Sequence, residues 1–332
     1  MQSFILILFY HLPSFTLLIL ISNYLFYINL TEESNTITGL QKYLMLFTIG
    51  LSQSTLGLIL NNIFVLGEKT ATDSFDFVII TISFLEHWYF NTFEDMLITL
   101  IIGGILTTTY HSKKAVHHHF NAKIPKNLLL GKFYLWIFLF LILILTCLKY
   151  FLKVENAFLL FIESFYRIGC FTFSQGNAII PFMLVEFADH INILKGYNLV
   201  TLLPGSIFNL ASYMGFMFIN MFYGFIALFF INLPGLLICL ACLPHHKHLI
   251  KYQNIHNFFI GVNLASNGFI LSAVLHLFDR VCLRVSSTNI YACSLNMLFS
   301  FLLLYNFRFS APLTLIIGGI STVIYTLISN IL

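Results

Sequence analysis

Long stretches of this chain contain no Asp, Glu, Lys or Arg, among them 43–67, 134–148, 257–278 and 309–332. Three of these four exceed the ~20 residues that cross a hydrocarbon core as a helix. Lipid offers no hydrogen-bond partners to the backbone, so such runs must be helices or strands of a closed barrel. Barrel strands alternate polar and apolar side chains. These runs are apolar on every side, which predicts helices. The composition agrees, with 59% hydrophobic and only 9% charged residues, against roughly 25% charged in a soluble domain. A soluble fold this poor in charge could not cover its surface. The fold class read from the sequence is an all-α polytopic membrane protein, with broken or re-entrant helices among its spans.

Apolar segments fall near 3–29, 43–66, 77–90, 96–110, 130–152, 156–173, 198–217, 219–243, 256–278, 289–307 and 311–331. Some are too short to cross alone, so about ten transmembrane helices are expected. The N-terminus (MQSFILILFYHLPSF) has no basic stretch and no small-residue cleavage site, and reads as a span rather than a cleaved signal. The net charge of +3 gives no reason to expect a nucleic-acid partner. The six cysteines show no paired secretory spacing, so no disulfide framework is implied. Residues 111–132 are the most basic part of the chain, and the positive-inside bias puts this loop in the cytoplasm.

The same loop separates two halves that resemble each other. Thr99–Ile105 and Thr314–Ile320 both read TLIIGGI, and each run ends five residues later in a tyrosine, Tyr110 and Tyr325. At nearly the same offset, Ile49–Leu60 (IGLSQSTLGLIL) matches Ile260–Leu271 (IGVNLASNGFIL), with Gly50 over Gly261 and Gly57 over Gly268. Leu12-Pro13 and Leu233-Pro234 form a third pair. The domains are read as 1–110, a first repeat half; 111–132, a linker; and 133–332, a connecting span plus a complete second half. Nothing in the first half corresponds to 153–221. The expectation is that its front is lacking, either because this is a truncated copy or because evolution shortened it, with a homo-oligomer or a second chain as the candidate source of the missing part. Duplicated membrane bundles are typical of secondary transporters, whose substrate site lies between repeats.

Residues 161–215 set the most polar side chains in apolar surroundings. Glu163 and Arg167 are one helical turn apart, in the favourable acid-first order. Charges at membrane depth face a pathway or a partner, so Arg167 is either half of a self-neutralising pair or a donor to an anion. Ser174-Gln175-Gly176-Asn177, closed by Pro181, predicts a helix break. Leu203-Pro204-Gly205-Ser206 predicts another, and Asn177 and Asn209 flank the two. A broken helix exposes N–H groups and a positive dipole end, both suited to an anion. Glu186 and Asp189 follow the first break, as proton-titrating groups or charge partners or as a solvated helix end. The candidate substrate residues are therefore Arg167, Gly176, Asn177, Pro204, Gly205 and Asn209, with Glu163, Glu186 and Asp189 as charge partners.

These elements carry a resemblance. Ile168-Gly169, Phe173 to Pro181 with Gly176, then Glu186, Gly196-Tyr197, Leu203-Pro204-Gly205 with Asn209, Ala211 and Gly215, then Leu233-Pro234-Gly235 and Gly261-Val262-Asn263 occur in that order. Together they resemble the chromate ion transporter family, with its FGGG-x-A-x-I-P, L-P-G-P, L-P and G-[VL]-[NQ] elements. The likeness covers roughly 155–330, and 10–110 look like the back part of the family's first half. Ser174 and Gln175 stand where the family has glycines, Ser206 where it has a second proline, and Tyr197 where it has Trp. The resemblance adds Asn263 to the candidates. It implies secondary transport of an inorganic oxyanion, chromate or a relative such as sulfate, in a plasma or internal membrane, with the bilayer and the anion as partners.

Other functions fit less well. His117-His118-His119, and His245-His246 with His248, lack the repeated box spacing of a di-iron membrane enzyme, and lysines surround both. Cys239 and Cys242 form half of a zinc pattern without the other half. No metal and no cofactor is expected, and no enzyme activity. The chain has no GxxxxGK[ST] phosphate loop, which argues against an ATP-driven pump. An ion channel or a non-transporting scaffold remains the alternative to a carrier.

Overall fold

The structure, a computed structural model, describes residues 16–18, 39–111, 128–150, 156–172, 176–245, 252–284 and 290–329. Most of the N-terminal apolar segment, Ser174 and Gln175, the His117–His119 run, most of the basic loop, and His246 and His248 lie outside them. The described residues are mostly helical and contain no strand, as a chain in lipid requires. The helices are α1 (Gly39–Thr70), α2 (Ser74–Tyr89), α3 (Phe93–Tyr110), α4 (Leu128–Tyr150), α5 (Ala157–Phe171), α6 (Ile179–Phe187), α7 (His190–Leu202), α8 (Asn209–Phe218), α9 (Met221–Cys242), α10 (Gln253–Arg284), α11 (Ile290–Tyr305) and α12 (Ala311–Ser329). Among the described residues, six helices are long and apolar enough to cross a membrane, and two apolar stretches, Gly176–Phe187 and Ile290–Tyr305, are shorter. The outer side of α4 exposes Phe133, Trp136, Leu139, Phe140 and Leu143. Water would penalise such a belt of large apolar side chains, whereas lipid accepts it. The protein is an all-α polytopic membrane protein.

The second half holds the shorter pieces. α5 ends at Phe171, a 3-10 turn follows at Gly176–Ala178, and α6 runs only from Ile179 to Phe187. α7 stops at Leu202, Leu203 is extended, and α8 starts at Asn209. Pro204 and Gly205 lie in this second interruption, where Ser206 Oγ accepts a hydrogen bond from Phe208 N at 3.3 Å. None of the four pieces reaches the length of a full span. Proline at 204 removes a backbone donor and disfavours helical backbone at 203.

The chain forms two compact units. One takes the described parts of 1–66, 187–224 and 273–332; the other takes those of 67–186 and 225–272. Each unit mixes the two sequence repeats, and each is built on the same contacts. In the first unit α1 packs on α11 and α12. A Cβ added to Gly50 would sit 2.7 Å from Gly318 O and 2.5 Å from Thr322 Oγ1, and one at Gly57 would strike Met297 O and Ser300. In the second unit α10 packs on α2 and α3. A Cβ at Gly261 would strike Gly103 O and Thr107 Oγ1, and one at Gly268 would strike Ile80 O and Ser83. Gly319 lies on the Phe47 ring as Gly104 lies on that of Phe258. The long helix of each repeat thus packs on the two following helices of the other repeat. Small residues let the backbones approach closely, which drives helix association where lipid removes the hydrophobic force.

Polar side chains tie the first unit further. Thr55 Oγ1 donates to Asn198 Oδ1 at 2.5 Å, and Asn198 Nδ2 donates to Ser52 Oγ at 2.9 Å. Asn296 Nδ2 donates to Gln53 Oε1 at 3.0 Å and Gly318 O at 3.1 Å. In the second unit a charged clasp joins helix ends. Asp76, fully buried in the first turn of α2, accepts from Thr72 N at 2.8 Å and Asp73 N at 3.1 Å, and its Oδ1 lies 3.0 Å from His111 Nε2. Asn257 Nδ2 donates to His111 O at 3.1 Å. Burial alone would raise the Asp76 carboxyl, but the His111 contact and the two backbone donors outweigh it and hold the carboxyl below its ordinary value of 3.8. A carboxyl depressed in the folded state stabilises above its unfolded value, and that contribution is lost as pH falls through the folded one. We therefore expect Asp76→Asn to lower stability by ~1.5–3 kcal/mol at neutral pH, the cost of a charge-assisted bond. Unfolding midpoints in detergent should differ most at pH 7 and converge in strong acid; a gap that persists unchanged in acid would refute the assignment.

Candidate functional site

The polar residues of α5 occupy one stripe and the apolar ones another. Ile162, Tyr166 and Cys170 pack on Leu145 of α4, with Phe230 and Leu233 of α9 against the same core. Gly169 lets α5 meet α9 so closely that a Cβ there would strike Ile231 O. This packing turns Glu163, Ser164 and Arg167 inward together.

Arg167 Nε donates to Glu163 Oε1 at 2.6 Å, and its Nη2 donates to Glu186 Oε2 at 2.5 Å and more weakly to Glu163 Oε2 at 3.4 Å. Its guanidinium carbon lies 4.0 Å from the centroid of the Phe93 ring of α3, a cation–π distance. Phe93 is held edge-on by Phe171 and tilted against Phe182, with centroids at 5.7 and 5.4 Å. Lys149, at the end of the apolar stretch of α4, donates to Glu163 Oε2 at 2.9 Å and lies 3.8 Å from Glu186 Oε1. Ser164 Oγ donates to Glu186 Oε1 at 2.5 Å. Two cations and two carboxylates thus meet, formally neutral, with the Glu163 and Arg167 side chains only 4% and 12% exposed. A network this deep persists only because every charge is paired.

In the structure Glu163 and Arg167 pair within a larger network, which also draws in Glu186. Gly176 and Asn177 form the 3-10 turn before α6 and belong to the same unit as Arg167. Asn263 also belongs to it, half-buried on α10. Pro204, Gly205, Asn209 and Asp189 belong to the other unit. Asn209 is the buried first residue of α8. Asp189 caps α7, accepting from Asn192 N at 3.2 Å and Asn192 Nδ2 at 2.7 Å.

Three members of the network were not among the candidates. Lys149 had a signal, because it is the first charge after the uncharged run 134–148. Phe93 had none, being one of 38 phenylalanines. Ser164 is legible only once its neighbour Glu163 is placed. A further polar position is Asn267, one turn beyond Asn263. It is fully buried, and neither amide atom has a hydrogen-bond partner among the described residues. The first repeat has Leu56 at the matching place, so comparing the repeats would have marked it.

A helical membrane protein with broken helices and a buried, charge-balanced cluster has the build of a solute carrier. The chromate transporter family model matches residues 158–323, and the chain belongs to that family. The matched region includes both helix breaks, Glu163, Arg167 and Glu186, and ends within α12. No curated protein and no solved structure matches the chain.

Proposed function

We propose that the protein carries a chromate-like tetrahedral oxyanion across its membrane by a secondary mechanism, with Arg167 as the group that grips the anion. The observation that carries this reading is the mounting of the guanidinium. It lies on Phe93, is fixed by Glu163 through Nε, and keeps Nη1 without a partner among the described residues. A planar donor held this way presents its remaining N–H groups in one orientation, which suits an oxyanion. The 3-10 turn at Gly176–Ala178 leads into α6 in the same unit, and its first amides add the positive end of a helix dipole to that unit. Membership of a transporter family supports the same reading.

The test is uptake of chromate into proteoliposomes, with sulfate as competitor. A carrier gives saturable uptake and counterflow, in which unlabelled anion trapped inside accelerates entry of labelled anion. Flux that rises linearly with concentration and shows no counterflow would establish a channel instead, and no flux of either anion would refute the proposal.

A further inference from the structure

Resting on that reading, we propose that Lys149 receives the Glu186 carboxylate when an oxyanion takes its place on Arg167, so that binding proceeds by exchange of ion pairs.

The geometry makes the exchange necessary. An oxyanion is gripped best by two parallel N–H groups on one edge of a guanidinium. On Arg167 one edge, Nε with Nη2, is taken by Glu163 at 2.6 and 3.4 Å. The other edge, Nη1 with Nη2, is half taken by Glu186 at 2.5 Å. A bidentate anion must therefore displace Glu186. Charge leads to the same conclusion. The cluster is already neutral, and an anion added beside two carboxylates would be repelled. A displaced carboxylate left buried without a partner is also costly.

Lys149 supplies the second position. Its Nζ holds Glu163 at 2.9 Å and lies 3.8 Å from Glu186 Oε1. Moving Glu186 by about an ångström brings that pair to ordinary hydrogen-bond length. Ser164, which donates to the same oxygen at 2.5 Å, guides the movement. Glu186 lies near the end of α6, a helix of only nine residues that follows the 3-10 turn at Gly176–Ala178. A small tilt of so short a piece moves the carboxylate from one cation towards the other. Glu163 bridges Arg167 and Lys149 in both states. Substrate binding thereby becomes a displacement of α6 relative to α4 and α5, the kind of local shift from which a carrier's alternation can start.

The experiment measures chromate uptake by proteoliposomes containing wild type, Lys149→Gln, Lys149→Arg, Glu186→Gln and the double variant Lys149→Gln/Glu186→Gln, each normalised to folded protein by size-exclusion chromatography. Lys149→Gln should raise KM by about tenfold or more, the scale of one charge-assisted contact, and Lys149→Arg should restore most of it. The double variant should recover a KM near the wild-type value, because no carboxylate then needs a new partner. A structural role for Lys149 would lower the yield of folded protein without moving KM. Wild-type KM in Lys149→Gln, or a double variant no better than the single one, overturns the exchange while leaving Arg167 as the anion group. Absence of saturable uptake in the wild type overturns the transport reading itself, and the exchange with it.

Discussion

Arg167→Ala should abolish high-affinity oxyanion uptake, raising the half-saturating concentration by about ten- to a hundredfold, the equivalent of the ~1.5–3 kcal/mol carried by a charge-assisted contact. Arg167→Lys should fall between alanine and wild type. Lysine keeps the positive charge, but it lacks the planar fork and cannot span two oxygens of a tetrahedral anion. It also loses the flat stacking on Phe93, which lies 4.0 Å from the guanidinium carbon. Alanine has a second effect, because it leaves Glu163 and Glu186 with Lys149 as their shared cation. Folded yield should therefore drop as well, and uptake must be expressed per folded molecule. Equal half-saturation in wild type, Arg167→Lys and Arg167→Ala would reduce the cluster to a structural brace, and Arg167 would no longer be the anion's partner.

How much of this was legible from residues alone depends on the range of the interaction. The helices were visible because lipid makes an uncharged run of some twenty residues nearly unambiguous. Both helix breaks were visible because glycine and proline act locally, and the structure interrupts the chain at Gly176–Ala178 and between Leu202 and Asn209. The Glu163–Arg167 pair was visible because helical spacing fixes it. Glu186 was marked as a charge but not joined to Arg167, since the two lie on separate helices and nothing local brings them together. Phe93 and Lys149 belong to α3 and α4, and only tertiary packing delivers them. The repeats were visible as matching strings, and Gly50, Gly57, Gly103, Gly261 and Gly268 were legible as matched positions. That each glycine meets the other repeat's helices was not, because a duplication in sequence says nothing about which copy each helix packs against.

That packing sets the second large expected effect. Gly261→Val should destabilise the protein by at least 1–3 kcal/mol, the usual cost of overpacking. A Cβ at 261 has no room, since it would strike Gly103 O and lie 2.5 Å from Thr107 Oγ1. Backbone cannot step aside as a flexible side chain does, so α10 must separate from α3. Gly50→Val should cost a similar amount, because it meets Gly318 O at 2.7 Å and Thr322 Oγ1 at 2.5 Å in the other unit. Gly67, near the end of α1, has no atom within 4 Å of an added Cβ. There the helix preference of alanine over glycine acts alone, and Gly67→Ala should stabilise by up to ~1 kcal/mol. Thermal midpoints in one detergent would measure all three. Opposite signs at 67 and 261, with matched losses at 50 and 261, follow from repeats that interleave; a silent Gly261→Val, or a loss confined to one of the two matched positions, would mean that the long helices do not pack across the repeats in this way.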